Sequence, residues 1–222
     1  VGHQSVPVII PPTYAFSIDQ QVAAHLDSFL SSTSYHFKKV RLPEKLLAVR
    51  SGLAQYGKNN ISYIPNLGSF YRPVVFISDI PCEADGWEAP TVMARCEKCA
   101  ACMKACPTSA ISSERFQLYA ERCLTFCNES TRDFPNWLSP DWHNSLVGCM
   151  ICQKVCPVNK AVVKWIEPGE TFNENETELI LSGTSTDLLP RPTIEKLKRQ
   201  DLMEYYDVLR RNLKALINKS NE

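Results

Sequence analysis

Four cysteines fall between positions 96 and 106 in the order Cys96-x2-Cys99-x2-Cys102-x3-Cys106, followed by Pro107. No other feature constrains the chain as strongly, because this is the spacing with which a chain wraps a cubane [4Fe–4S] cluster. Three neighbouring thiolates hold one cluster, and the fourth, set before a proline, points away to ligate a second. Soft thiolates also suit iron–sulfur chemistry better than they suit hard metals. Such a motif needs a partner, and Cys149-x2-Cys152-x3-Cys156-Pro157 repeats the pattern without its first cysteine. The isolated Cys123, after Arg122, supplies the missing thiol. The ligands then divide crosswise. Cys96, Cys99, Cys102 and Cys156 go to one cluster, and Cys106, Cys123, Cys149 and Cys152 to the other.

Two other readings of the thiols carry less weight. Zinc knuckles pair two C-x2-C units across a dozen or more residues, and a third cysteine at the next interval has no tetrahedral use. A disulfide framework belongs to exported chains. The N-terminus lacks the basic, apolar and small-residue succession of a signal peptide, so a reducing cytoplasm is expected. The chain opens on Val1 rather than methionine, which leaves room for a segment upstream. No run of eighteen apolar residues is present, so no membrane partner is expected. Of the ten cysteines one precedes position 96, and none follows position 156. That clustering suits a metal-bearing module set in an ordinary globular chain.

Along the chain, Val6–Ile10 is an apolar run closed by Pro11-Pro12 and reads as a buried strand. Ser17 with Gln20 forms a capping-box pattern ahead of a helix to about Ser32, with His25 on its flank. Pro43 opens a second helix that stops at Gly52, a left-handed cap. Residues 61–64 and 70–78 read as strands joined across 65–68. The stretch 80–94 is a boundary, and 167–178 is an acidic surface wrap. A last helix is expected from Asp201, with Glu204 as box partner and Leu202, Tyr205, Leu209, Leu213 and Leu216 along one face, packing back on the body. The fold class is therefore α+β. Residues 1–92 form a small α/β domain, 93–165 a ferredoxin-like double [4Fe–4S] domain, and 166–222 a C-terminal wrap and helical tail.

Smaller signals carry a structural and a functional meaning. Cys127 and Cys82 are read as buried small residues, Cys127 also as an alternative ligand. His143 and Trp142 are read as loop packing, with tuning of a cluster through a hydrogen bond as the second meaning. Tyr56 and Tyr63 are core aromatics or proton donors. Ile111, Val155 and Val158 are expected to keep water from the clusters. Charge is balanced, 24 basic against 24 acidic residues. Locally, however, Lys38, Lys39, Arg41, Lys45, Arg50 and Lys58 face only Glu44, a solvated helix face or an anion-binding segment.

The run from Leu42 through Pro43-Glu44-Lys45 and Ser51-Gly52-Leu53 to Tyr56-Gly57-Lys58-Asn59 resembles the epoxyqueuosine reductase family, itself related to the reductive dehalogenases. Gly68-Ser69-Phe70, Ser78-Asp79-Ile80-Pro81, Cys106-Pro107-Thr108, Arg122-Cys123-Leu124 and Gly148 to Asn159 resemble it too, over about Tyr35 to Lys160. The resemblance implies an iron–sulfur oxidoreductase in which two clusters pass single electrons to a cobalamin, which reduces an organic substrate. It implies that Ser51, Gly52, Leu53, Tyr56, Gly57, Lys58 and Asn59 lie near the corrin, and that residues 1–92 are a shortened corrinoid platform. It implies an electron donor such as a flavodoxin or ferredoxin. The proton-donating aspartate of those enzymes would fall within Phe37–Arg41, which holds no carboxylate. The catalytic residues are thus unassigned, and nucleic acid is not an expected partner. The alternatives are a ferredoxin-like electron-transfer protein with no substrate site of its own, and a module whose basic segment grips RNA.

Overall fold

A computed structural model describes residues 5–84 and 86–220. The first four positions of the expected first domain, Asp85 in the expected boundary, and the last two residues lie outside the described residues. After a turn at Pro12–Tyr14, helix α1 runs Ser17–Leu30. Its start is not the expected capping box. The Ser17 amide donates instead to Asp201 Oδ2 at 3.0 Å, which places a carboxylate at the positive end of the helix dipole. Strand β1 (Phe37–Lys39) and helix α2 (Glu44–Arg50) follow. Gly52, at φ +77°, ends α2 in the left-handed conformation that its sequence position predicts.

Strands β2 (Gln55–Tyr56) and β3 (Ser62–Tyr63) pair antiparallel, with Tyr56 opposite Ser62. Strand β4 (Phe76–Ser78) pairs antiparallel with β1, with Phe37 opposite Ser78. Two such ribbons are the strand content of the described residues. The α+β expectation is therefore corrected to a mostly helical molecule. Val6–Ile10 forms no strand; its Ile9 carbonyl accepts a single bond from Leu146 N at 2.8 Å. Within 70–78 only the last three residues pair. Pro73 has no amide to give a ladder, which accounts for the late start.

Short helices α3 (Ala101–Ala105), α4 (Leu124–Glu129) and α5 (Ile151–Lys154) carry the cysteine segment. Then come α6 (Glu174–Ser182), α7 (Arg191–Arg199) and α8 (Tyr206–Ser220). Helix α6 begins inside the expected acidic wrap. Asn173 accepts from the Glu176 amide at 2.9 Å and Glu176 accepts from the Asn173 amide at 2.8 Å, a reciprocal cap that the spacing contained but the sequence reading passed over. Helix α8 begins later than Asp201, after a tight turn at Met203–Tyr205, because Asp201 sits at φ +55° with its carboxylate already bonded to α1.

The main core joins the tail to the body. Tyr14, Leu146, Val147, Ile180, Leu197, Leu202, Leu209 and Leu216 are buried together. Leu197 and Leu209 are essentially sealed, and removing each from water contributes about 1.5–3 kcal/mol. On α8 the buried Asn212 donates to the carbonyls of Asn128 and Leu146, both at 2.9 Å. Its neighbour Arg211 lies 3.9 Å over the Phe134 ring and donates to Cys127 O at 2.9 Å. The tail thus packs back on the body as expected. The N-terminal part is pinned by buried Asp19, which holds Arg72 in a fork at 2.6 and 2.9 Å and also pairs with Lys39. No helix among the described residues is long and apolar enough to cross a membrane.

Candidate metal centre

The cysteines are placed by short, local geometry. Cys99 N closes a turn on Cys96 O at 3.3 Å, Cys102 rides α3, and Cys152 rides α5, the two helices being packed together. Cys106 and Cys156 both precede proline and both are extended, at ψ 109° and 124°. A proline clashes with a helical residue before it, so each Cys-Pro step leaves its helix and turns its sulfur outward. Cys123, extended at the head of α4, completes the set.

Four of the sulfurs come together. Cys106, Cys123, Cys149 and Cys152 all line one cavity of about 400 Å³. Burial pushes the Cys149 thiol up, with the charges of Cys123 and Cys106 adding to it. Burial pushes Cys152 up to about 12, with Cys149 next in effect. Across the α3–α5 contact, burial raises the Cys102 thiol and the charges of Cys156 and Cys96 raise it further. Burial is the largest cause for each of these thiols, and neighbouring thiolates add to it. The charge of bound iron is what offsets such crowding. Among the described residues no three His, Cys, Asp or Glu side chains converge on a single ion position. The donor set, soft sulfurs of which four line one cavity, fits iron–sulfur clusters better than a single ion.

Polar groups reach these cysteines from several directions. Asn144 Nδ2 donates to Cys149 Sγ at 3.3 Å, and Thr108 Oγ1 lies 3.5 Å from Cys106 Sγ. Sequence reading singled out His143 and Trp142 and missed Asn144, the residue beside them. His143 is buried with its ring 4.6 Å from that of Phe134, and Trp142 packs against the cluster formed by Leu124, Cys127 and Leu138. Cys127 is buried in that cluster, its thiol raised first by burial. Cys82, expected to be buried, is exposed and turned to Ala84 O at 3.0 Å. Of the three expected water-excluding residues, Ile111 is buried, Val158 half-buried and Val155 exposed. Val147 and Met150 are buried beside the second motif.

The seven residues named for a corrin separate into two groups. Ser51, Gly52 and Leu53 face outward: Leu53 is 57% exposed and nothing lies within 4 Å of where a Gly52 Cβ would stand. Tyr56, Gly57, Lys58 and Asn59 turn toward the cluster segment. Tyr56 meets the Phe116 ring edge-on at 5.1 Å, and Lys58 Nζ donates to Cys99 O at 3.3 Å. Asn59 lines the cavity of Cys152 and donates to Tyr63 Oη at 2.8 Å. A second buried junction went unread in the sequence. Ser69 N donates to Asn159 Oδ1 at 2.9 Å, Asn159 Nδ2 donates to Ser69 Oγ and Gln153 O at 2.8 Å, and Ser69 Oγ donates to Gln153 Oε1 at 2.9 Å.

Known proteins resemble this chain in sequence and in fold. Residues 95–159 match the 4Fe-4S double cluster binding domain family. An epoxyqueuosine reductase of Leadbetterella byssophila is 34% identical over 169 residues, which is 72% of this chain and 53% of that protein. That of Bacillus subtilis is 34% identical over 119 residues, 54% of this chain and 30% of that protein. The chain is a relative of the epoxyqueuosine reductases. It spans about half or less of the length of these two. A solved epoxyqueuosine reductase of B. subtilis superimposes with a TM-score of 0.69 at 24% identity, over 94% of this chain and 55% of that one. Another, solved with an epoxyqueuosine-modified tRNA stem loop, gives a TM-score of 0.66 at 22% identity, over 97% and 61%. These likenesses establish the fold. The second also corrects the expectation against nucleic acid, since an epoxyqueuosine reductase of this fold engages a tRNA stem loop.

Proposed function

We propose that the chain is the iron–sulfur part of a reductase of epoxyqueuosine reductase type, working in a reducing compartment. Cys96, Cys99, Cys102 and Cys156 hold one [4Fe–4S] cluster, and Cys106, Cys123, Cys149 and Cys152 the other. Segment 93–165 supplies the cluster module, 1–92 the platform toward the substrate, and 166–222 the buttress beneath both. The observation that carries this reading is the single cavity lined by the second set of four thiols, drawn from three separate stretches of chain.

The same cavity offers a way out for electrons. Its walls include Glu44, Lys45, Tyr71, Arg72 and the Tyr14–Glu129 pair, in which the Tyr14 hydroxyl donates to the carboxylate. Apart from Arg72, which stays protonated against Asp19, these are groups able to hold or pass a proton beside the second cluster, where the Phe37–Arg41 stretch offers no carboxylate. A corrinoid, when bound, supplies the low-potential reduction of the substrate. Ser51, Gly52 and Leu53 form an outward surface on which it can rest, with further enclosure coming from outside these residues. A tRNA carrying epoxyqueuosine is the substrate class suggested by the relatives.

Iron and sulfide analysis of the anaerobically reconstituted protein should return two clusters per chain; zinc, or iron for one cluster alone, overturns the ligand assignment. Titration with cobalamin should then shift the visible corrin spectrum. An unchanged spectrum supports the second reading, a one-electron carrier without its own substrate site, which the openness of Ser51–Leu53 favours.

A further inference from the structure

The β2–β3 hairpin places two polar side chains in a region otherwise given to sulfur. Asn59 and Tyr63 are each 2% exposed, and Asn59 Nδ2 donates to Tyr63 Oη at 2.8 Å. The phenol accepts this bond, so its own proton is free to point elsewhere, and the neighbour within reach is Cys156. Asn59 has a second N–H, and it lines the cavity wall shared with Cys152, whose thiol it holds down against the upward push of burial. Cys156 belongs to one proposed cluster and Cys152 to the other. A single hydrogen-bonded pair therefore touches one ligand of each.

The pair cannot swing away. A Cβ on Gly57 would stand 2.6 Å from Asn59 Oδ1 and 2.6 Å from the Tyr63 ring, so the hairpin closes only because position 57 has no side chain. The Ile61 amide, 3.4 Å from Asn59 Oδ1, holds the amide group with its NH2 directed away from the turn. Fixed donors aimed at sulfur cost no reorganisation when charge arrives there.

We propose that the β2–β3 hairpin sets the reduction potentials of both clusters, Tyr63 donating to the Cys156 sulfur and Asn59 to the Cys152 sulfur while holding Tyr63 in place. The assignment rests on the two-cluster reading above. Reduction adds negative charge to the cluster and its sulfurs, and a donor to sulfur stabilises the charged form; both donors thus raise the potential. Asn59 and Tyr63 act as positioning and tuning residues, and Lys58, adjacent on the same turn, anchors the hairpin through Cys99 O at 3.3 Å. Because one hairpin serves both cubes, a change in its placement moves the two potentials together.

EPR-monitored redox titration of the reconstituted full chain tests this. Tyr63→Phe keeps the ring and should lower one midpoint by the equivalent of about tenfold in the reduced-to-oxidised ratio, about 59 mV for a one-electron couple, leaving the other in place. Asn59→Ala should lower both. Two unmoved midpoints with full iron and sulfide overturn the proposal while leaving the two-cluster reading intact. If Tyr63→Phe does not retain its iron, Asn59→Ala decides by the same criterion. A wild-type chain without two clusters defeats the proposed function and this inference together.

Discussion

Replacing Asn159 by alanine is the sharpest test of how the cluster segment is locked to the rest of the chain. The side chain is fully buried and makes three bonds, accepting from Ser69 N at 2.9 Å and donating to Ser69 Oγ and Gln153 O at 2.8 Å. Ser69 Oγ keeps its bond to Gln153 Oε1 at 2.9 Å, so its own loss is partial. The Ser69 amide and the Gln153 carbonyl are left unsatisfied, at about 1–3 kcal/mol each. The void adds to this, so about 3–5 kcal/mol is expected, a large share of the about 5–15 kcal/mol by which a domain is stable. Bound clusters make equilibrium unfolding an unsuitable measure, and the rate of cluster bleaching in a fixed denaturant concentration is the proper readout. At about 1.4 kcal/mol per decade, a speeding of between about a hundredfold and several thousandfold is expected if this junction opens before the clusters are lost. Asn173→Ala serves as control. It removes the α6 cap at about 1 kcal/mol and should leave bleaching nearly unchanged. Asn159→Ala bleaching within twofold of the wild-type rate would refute the claim that the 69–159 junction guards the clusters.

Other expectations follow from single positions. Gly68→Ala should lower the melting temperature far more than Gly52→Ala: both have positive φ, +75° and +77°, but a Cβ at 68 would meet Asn159 Oδ1 at 2.3 Å while one at 52 meets nothing. Equal losses would show that only backbone strain, about 1–2 kcal/mol, matters. Cys123→Ser should lose one cluster's iron, whereas Cys127→Ser should keep both, as metal analysis would show. Asp19 carries an acid-limb prediction. Burial alone would raise its carboxyl, but Arg72 and Lys39 outweigh that and hold it below the usual range. The unfolded chain then binds the proton more readily, so the stabilisation is present above the unfolded pKa of about 3.9 and fades as pH falls through the folded value. Acid unfolding of Asp19→Asn should begin at higher pH than wild type; coincident curves would remove Asp19 from the account.

The cysteine module was legible because its information is local: spacings of two and three residues fix turns, and Cys106 and Cys156 are turned outward by the proline that follows each. The left-handed stop at Gly52 and the apolar face of α8 were legible for the same reason. What failed depended on distance. Val6–Ile10 has the composition of a strand but no neighbouring strand to pair with, and Ser17 has a capping-box pattern that a remote carboxylate displaces. Asn59, Ser69, Asn144 and Asn159 look like turn residues in isolation. Only folding discloses their partners: Asn59 bonds Tyr63, Ser69 bonds Asn159 and Gln153, and Asn144 reaches the Cys149 sulfur. The expectation against nucleic acid had another origin, since a balanced net charge is silent about local binding.

The bond from Ser17 to Asp201 has a consequence during synthesis. The carboxylate that finishes the first helix is 184 positions behind the amide it receives, and every cysteine leaves the ribosome before it does. Iron can therefore reach nascent thiolates over a long interval in which the opening helix is still frayed. Emergence of Asp201 ends that interval, so the order of synthesis exposes every one of these thiols before this contact can close.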